Sequence, residues 1–312
     1  MPDDPVIKQT GDGIPYKVIA TALKSGNLVP FLGAGASAAH RPKDTAWTPG
    51  APFGPFASEL ARYLANEGTF PDESGTDDLM LVASYFESDP ADRPKLQGKL
   101  DEIFSDDNLQ PGPIHRLLAG CPKLRLIMTT NYDNLIEKAF DDKIHVVVDH
   151  GEEEWVNVRR MGEDSFIHIQ KQQLGRFLDK IPAPTVFKLH GTAYKNPLEY
   201  ESDETELYRF VLTEDDYVRV LGTQIERMPA VLKAILNVCG SVLFLGYGLA
   251  DWNVRVLLSK LKLTGRSWAV QHNPLKSEQK IWEKRGVNLY RVDLGDFVDG
   301  ISNELSAPEK AP

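Results

Sequence analysis

The chain has 312 residues, 42% of them hydrophobic, ample for a buried core in one large domain or two of medium size. Its 35 basic and 45 acidic side chains leave a net charge of −10, which argues against nucleic-acid binding through the bulk field. Only two cysteines occur, Cys121 and Cys239, both among apolar or small residues, so a cysteine-rich zinc module and a disulfide framework are excluded.

The N-terminal "MPDDPVIKQT" lacks the basic-then-apolar pattern of an export signal. The longest uncharged, apolar-leaning run, Leu28 to Ala39, falls far short of the roughly 20 residues that a membrane-spanning helix needs. A soluble, cytoplasmic protein with no membrane partner is expected.

In chain order, "NLVPFL" predicts a strand that runs into the glycine loop "GAGAS", Gly33 to Ser37. Pro55 to Asn66 carries Phe56, Leu60 and Leu64 at fourfold spacing, which predicts an amphipathic helix. Asp77 to Phe86, Pro94 to Phe104 and Pro113 to Ala119 are helical by the same criterion. "LRLIMT" reads as a buried strand, and "YDNLIEKAF" follows with helical spacing at Leu135, Ile136 and Phe140. "HVVVD" and "TVFKLH" are two further strands, the second ending on His190. Between them, 150–184 is charged and weakly periodic, and is expected to be an inserted helical or irregular segment, a lid or an interaction arm.

After "YRFVL", Thr213 and Asp216 form a capping-box signature for a helix start. "PAVLKAILNVC" is a helix, and "SVLFLG", "YGLAD" and "WNVRVLLSKL" repeat the strand, glycine turn and helix of the opening stretch. "SWAVQ" and "VNLYRVD" complete the strands. Uniformly apolar strands alternating with helices imply an α/β fold, a doubly wound, mostly parallel Rossmann-like sheet covered on both faces. The domain is expected over 14–300, with 301–312 a disordered tail ending in "SAPEKAP".

In such a sheet ligands bind at the carboxyl ends of the strands. The residues there are Gly33-Ala34-Gly35-Ala36-Ser37, Thr129-Thr130-Asn131-Tyr132-Asp133, His190-Gly191-Thr192, and Gly246-Tyr247-Gly248-Leu249-Ala250-Asp251. Gly33, Gly35 and Ala38 fit the G-x-G-x-x-A fingerprint, in which missing side chains let backbone N–H groups reach a pyrophosphate; a tight turn would need the same residues. The fingerprint's usual continuation is absent, because "HRPKDTAWTPGAP" follows, which favours a long mobile loop over the ligand. Either Asn131 or Asp133 could cap the next helix, but one cap leaves the other to explain. His190 has a structural histidine as its plain alternative, and Asp251 a helix cap. His115 is assigned a structural role.

At this point "GAGAS", "TTNYD", "KLHG" and "LGYGLAD", in this order, resemble the sirtuin family, and more narrowly its bacterial branch that hydrolyses NAD in antiphage defence. "PGPIHRLLA" and "LTEDDY" resemble that branch too, and the likeness spans roughly three quarters of the chain by motif order. It implies Asn131 and His190 as the catalytic asparagine and histidine. Gly33, Ala34, Gly35 and Ser37 would form the cofactor loop, and Asp133 would lie near the nicotinamide amide. Thr130, Gly246, Tyr247, Gly248 and Asp251 complete the expected NAD contacts, and the turn that pairs Asp251 with Gly246 and Gly248 suits a ribose hydroxyl. The four-cysteine zinc module of deacylating sirtuins is missing, which argues against an acyl-lysine peptide substrate.

The implied activity is NAD glycohydrolysis to nicotinamide and ADP-ribose, with NAD as substrate and neither a prosthetic group nor zinc. NAD-dependent protein deacylation, ADP-ribosyl transfer and a non-catalytic NAD sensor are the alternatives. An enzyme that depletes NAD must be held in check, so a homo-oligomer is expected, with self-association or a separate defence protein, an ATPase or nuclease, as the regulator.

Overall fold

A computed structural model describes residues 13–89, 92–149, 153–178, 183–193, 210–220, 224–247 and 265–307. These form a nine-stranded sheet: β1 Val29–Leu32, β2 Leu126–Thr129, β3 His145–Val148, β4 Trp155–Arg159, β5 Ile167–Gln170, β6 Thr185–Lys188, β7 Val242–Leu245, β8 Ser267–Gln271 and β9 Val287–Arg291. The order across the sheet is β5-β4-β3-β6-β2-β1-β7-β8-β9. The seven strands from β3 to β9 in that order are parallel, and β4 and β5 add an antiparallel edge.

Alternation along the strands divides the core. Val29, Phe31, Met128, Phe187 and Phe244 face one side, where they meet Leu232, Leu236 and Trp282. Leu32, Ile127, Val186, Leu243 and Leu245 face the other, against helix α1 (Tyr16–Ser25) and the C-terminal helix Leu294–Ser306. Both faces are buried, as the continuous apolar runs require, so the sheet is doubly wound. β1 and β7 are neighbours with their connections parting to opposite sides, which opens the crevice where such sheets bind ligands.

The glycine loop is a one-turn helix, α2 (Ala34–Ala38). Helices α3 (Ala57–Glu67), α4 (Leu79–Phe86) and α5 (Arg93–Phe104) pack as a separate lobe with its own apolar cluster, which also takes in Tyr132, Phe210 and Leu212. Helices α6 (Pro113–Ala119), α7 (Leu135–Ala139), α8 (Leu174–Phe177), α9 (Glu214–Val220), α10 (Gln224–Arg227) and α11 (Ala230–Cys239) complete the labelled set.

Two expectations change. The 150–184 segment, read as helical or irregular, supplies β4 and β5, and among its described residues helix is confined to 171–177. Its few apolar residues, Val156, Val158, Ile169 and Leu174, join the main core, because they are too few for one of their own. The period-2 signal is short and broken by charges, so it does not stand out in the sequence. The tail read as disordered from 301 is helical to Ser306, with Ile301 fully buried; 308–312 lie outside the described residues.

Candidate active site

Four strand ends meet at a cavity of ≈ 310 Å³. From the expected site it is lined by Ala34 and Ser37 after β1, Thr130, Asn131 and Asp133 after β2, His190 after β6, and Gly246 and Tyr247 after β7. Gly33 and Gly35 stand behind the wall, and the expected Gly248 and Asp251 lie outside the described residues.

The glycines answer to the neighbouring strand end. A Cβ on Gly35 would sit 2.9 Å from the Cα and carbonyl oxygen of Gly246, and one on Gly33 would sit 2.8 Å from that same oxygen. Gly246 has φ 74°, and a Cβ there would meet the Ala36 nitrogen at 2.2 Å. The Gly33 N–H donates to Leu245 O and the Gly35 N–H to Gly246 O, both at 3.0 Å. The amides expected to reach a pyrophosphate are thus used to join α2 to β7, and the loop's cavity-lining residues are Ala34 and Ser37.

Ser37 links the two residues that sequence left as rival caps. Its hydroxyl donates to Asp133 Oδ2 at 2.7 Å and accepts from Asn131 Nδ2 at 2.9 Å. Asn131 Nδ2 also donates to Gly33 O at 3.1 Å, and Asp133 Oδ1 accepts from the Leu135 N–H at the start of α7. Asp133 therefore serves the helix while Asn131 does not. With the amide nitrogen so engaged, Asn131 Oδ1 has no hydrogen-bond partner among the described residues and remains an acceptor at the cavity wall.

Lys188 supports this turn from beneath. Its ammonium pairs with Glu137 Oε1 at 2.9 Å and donates to Thr192 Oγ1 at 3.0 Å and to the Asp133 carbonyl. At the cavity wall, Thr130 Oγ1 and Tyr247 Oη lie 3.0 Å apart in a hydrogen bond.

His190 is buried, and its ring meets that of Tyr217 edge-on at 5.5 Å. Burial pushes the imidazole down to about 4, against the opposing pull of the Asp216 carboxylate. Neither ring nitrogen is hydrogen-bonded to a described residue. Burial also pushes His115 down to about 4; its Nδ1 accepts the Gly112 N–H at 3.1 Å, in keeping with a structural role.

The strand-end pattern misses the other wall. Phe56, Leu60, Leu79 and Phe104 from the helical lobe, with Tyr217 from α9, join the strand-end Tyr132 to make it apolar and aromatic. Their periodicity marks helices and core, and nothing in it points to a cavity. The loop between α2 and α3 is anchored rather than free-standing: Arg41 pairs with both Glu59 oxygens at 2.8 and 2.7 Å, and the same carboxylate accepts the Trp47 and Phe56 N–H groups. The Gly54 N–H donates to Ser37 O at 3.2 Å, which seats this loop on the site.

Among the described residues no group of three His, Cys, Asp or Glu side chains is placed to hold a metal ion. No helix among them is long and apolar enough to cross a membrane.

The family model described as SIR2-like domain matches residues 125–290. Two relatives, each named NAD(+) hydrolase ThsA, come from Acinetobacter baumannii (strain 532279) and Enterococcus faecium. They are 27% identical over 248 residues and 25% identical over 260 residues. The alignments cover 78% and 82% of this chain but only 41% and 43% of the relatives, so the chain spans less than half their length. A solved structure described as "Structural Basis for the Mechanism and Regulation of Sir2 Enzymes" covers 94% of this chain and 99% of its own, at 12% identity and a TM-score of 0.41. That likeness is too loose to carry the fold, which rests on the strand order itself.

Two outcomes follow from this geometry. Gly35→Ala should lower the melting temperature with no ligand present, because its Cβ meets backbone that cannot yield; an unchanged melting temperature would show that α2 and β7 are not in that contact. Secondly, His115 and His190 stay neutral in the fold but gain protons when unfolded, below the ordinary value of 6.5. Stability should therefore fall as pH drops from 6.5 towards about 4, and His115→Gln should flatten that slope in urea titrations.

Proposed function

The chain belongs to the SIR2-like domain family, and from that premise we infer that it is an NAD glycohydrolase. The observation that carries this reading is the convergence of the Asn131–Ser37–Asp133 chain and His190 on one cavity at the sheet's switch point. The two relatives named as NAD hydrolases support the choice of substrate and reaction.

In NAD the nicotinamide already departs as a neutral molecule from a cationic state, so no general acid is required. The site has to orient the ribose, tolerate the positive charge that develops on it, and deliver water. Asn131 Oδ1 is the free acceptor that holds a ribose hydroxyl or the attacking water. Ser37 fixes the Asn131 amide, and the Asp133 carboxylate holds Ser37 while favouring positive charge nearby. His190, neutral at pH 7, accepts the proton that water loses. The C–N bond breaks, a C–O bond forms, and NAD plus water yields nicotinamide, ADP-ribose and one proton.

The motif resemblance supports a role in antiphage defence by NAD depletion, and the toxicity of unchecked depletion argues for control through self-association or a separate ATPase or nuclease. Protein deacylation and ADP-ribosyl transfer would use the same residues with another acceptor. Incubation with NAD alone separates them: nicotinamide released without any peptide supports hydrolysis, and release only with an acylated peptide supports deacylation.

His190→Ala should reduce nicotinamide release by about 100-fold or more in a folded protein. Asn131→Ala should do likewise with near-normal NAD affinity by calorimetry, since Oδ1 supplies orientation more than binding energy. Wild-type turnover in folded His190→Ala would remove His190 from the chemistry. Equal losses of affinity and turnover in Asn131→Ala would make that residue a binding group only.

A further inference from the structure

We propose that Asp216, held in place by Arg93, is the positioning residue for His190. This rests on the reading of His190 as the proton acceptor, and it adds a residue from a helix that packs outside the strand-end set.

The Asp216 carboxylate is buried and fully subscribed. Oδ2 accepts from the Leu212 N–H at 2.9 Å, the Thr213 N–H at 3.0 Å and Arg93 Nη1 at 2.9 Å. Oδ1 accepts from Arg93 Nη2 at 3.2 Å and Arg219 Nη2 at 2.6 Å. Arg93, 3% exposed, also donates to Phe210 O at 2.7 Å and pairs with Glu87 at 2.5 Å. A cap of α9 needs only the two backbone donors and the return bond from the Asp216 N–H to Thr213 Oγ1. The buried guanidinium goes beyond capping, since it joins α5 of the helical lobe to α9 and to the segment entering it.

That segment is what His190 leans on. The Val211 N–H donates to His190 O at 3.0 Å, Tyr132 Oη donates to Val211 O at 2.7 Å, and Gly191 bridges Phe210. Tyr217, next along α9, presents its ring edge-on to the imidazole. Because no described residue bonds the ring nitrogens, the orientation of His190 comes from these backbone ties and that aromatic contact. Asp216 governs both.

The charged groups around His190 give the account a sign. From α9, Asp216 favours the imidazolium, with Arg93, Arg219 and Glu87 behind it. From the turn after β2, Asp133 is bound by the Ser37 hydroxyl and the Leu135 N–H, and on the histidine's own strand Lys188 is bound to Glu137. Removing the Asp216 charge should make His190 harder to protonate. Removing Arg219, which partly neutralises Asp216, should make it easier. The opposed shifts read the Asp216 charge at the ring, and a fall in kcat at near-constant KM reads the positioning.

The test follows the His190 imidazole by NMR titration, beside kcat and KM for NAD, in the wild type, Asp216→Asn, Asp216→Glu and Arg219→Gln. The His190 midpoint should fall in Asp216→Asn, rise in Arg219→Gln, and return towards the wild type in Asp216→Glu. Turnover in Asp216→Asn should drop about 10- to 100-fold with KM changed less than about threefold. Midpoints that stay put, or that move together in the two neutralised variants, would overturn the proposal. If Asp216→Asn fails to fold, Arg219→Gln still decides it, because that side chain is 36% exposed and its midpoint must rise. Midpoints shifting as stated in a protein that releases no nicotinamide would sink glycohydrolysis and leave the positioning role standing; an active wild type with unmoved midpoints would do the reverse.

Discussion

The ammonium of Lys188 is buried at the end of β6 with no solvent exposure, and the site is assembled around it. Taking such a charge out of water costs several kcal/mol, which only complete pairing offsets. Its described partners include Glu137 on α7, Thr192 beyond His190, and the Asp133 carbonyl in the turn after β2. One cation therefore fixes two neighbouring strand ends relative to each other. The Asn131 side bears an acceptor and the His190 side a neutral base. Parallel pairing of β2 with β6 sets the same register from the sheet side, since Thr129 pairs with Lys188.

A second constraint acts on the other flank. Glycines 33, 35 and 246 let α2 and the end of β7 approach until backbone meets backbone. That contact carries Ser37 to where it can donate to Asp133 and accept from Asn131. The small residues that look like a phosphate cradle thus do at least two things. They pack one strand end on the next, and through Ser37 they orient the amide that faces the cavity.

Much of this is legible in the sequence, and for physical reasons. Doubly covered parallel strands must be apolar throughout, so "LIMT", "HVVV" and "VLFL" are visible as strands, and residues that follow β2 and β7 line the cavity. Thr213 and Asp216 announce a helix start by spacing alone, and both reciprocal bonds of the capping box are present. The Arg93–Asp216 pair is invisible there, because its partners lie 123 positions apart and Arg93 reads as an ordinary first-turn residue. The β4–β5 edge is hidden by its brevity, and the apolar half of the cavity by looking like helix core. Gly35 was legible as necessary, but its reason, a contact with Gly246, is a tertiary fact.

The account turns on where NAD sits. The most direct measurement is an experimental structure of folded His190→Ala bound to NAD, in which turnover is blocked and the substrate remains whole. The nicotinamide ribose should lie in the cavity with a hydroxyl, or an ordered water beside its anomeric carbon, within hydrogen-bond reach of Asn131 Oδ1. NAD bound with that ribose away from Asn131, or bound elsewhere on the chain, would contradict the assignment of this cavity as the active site.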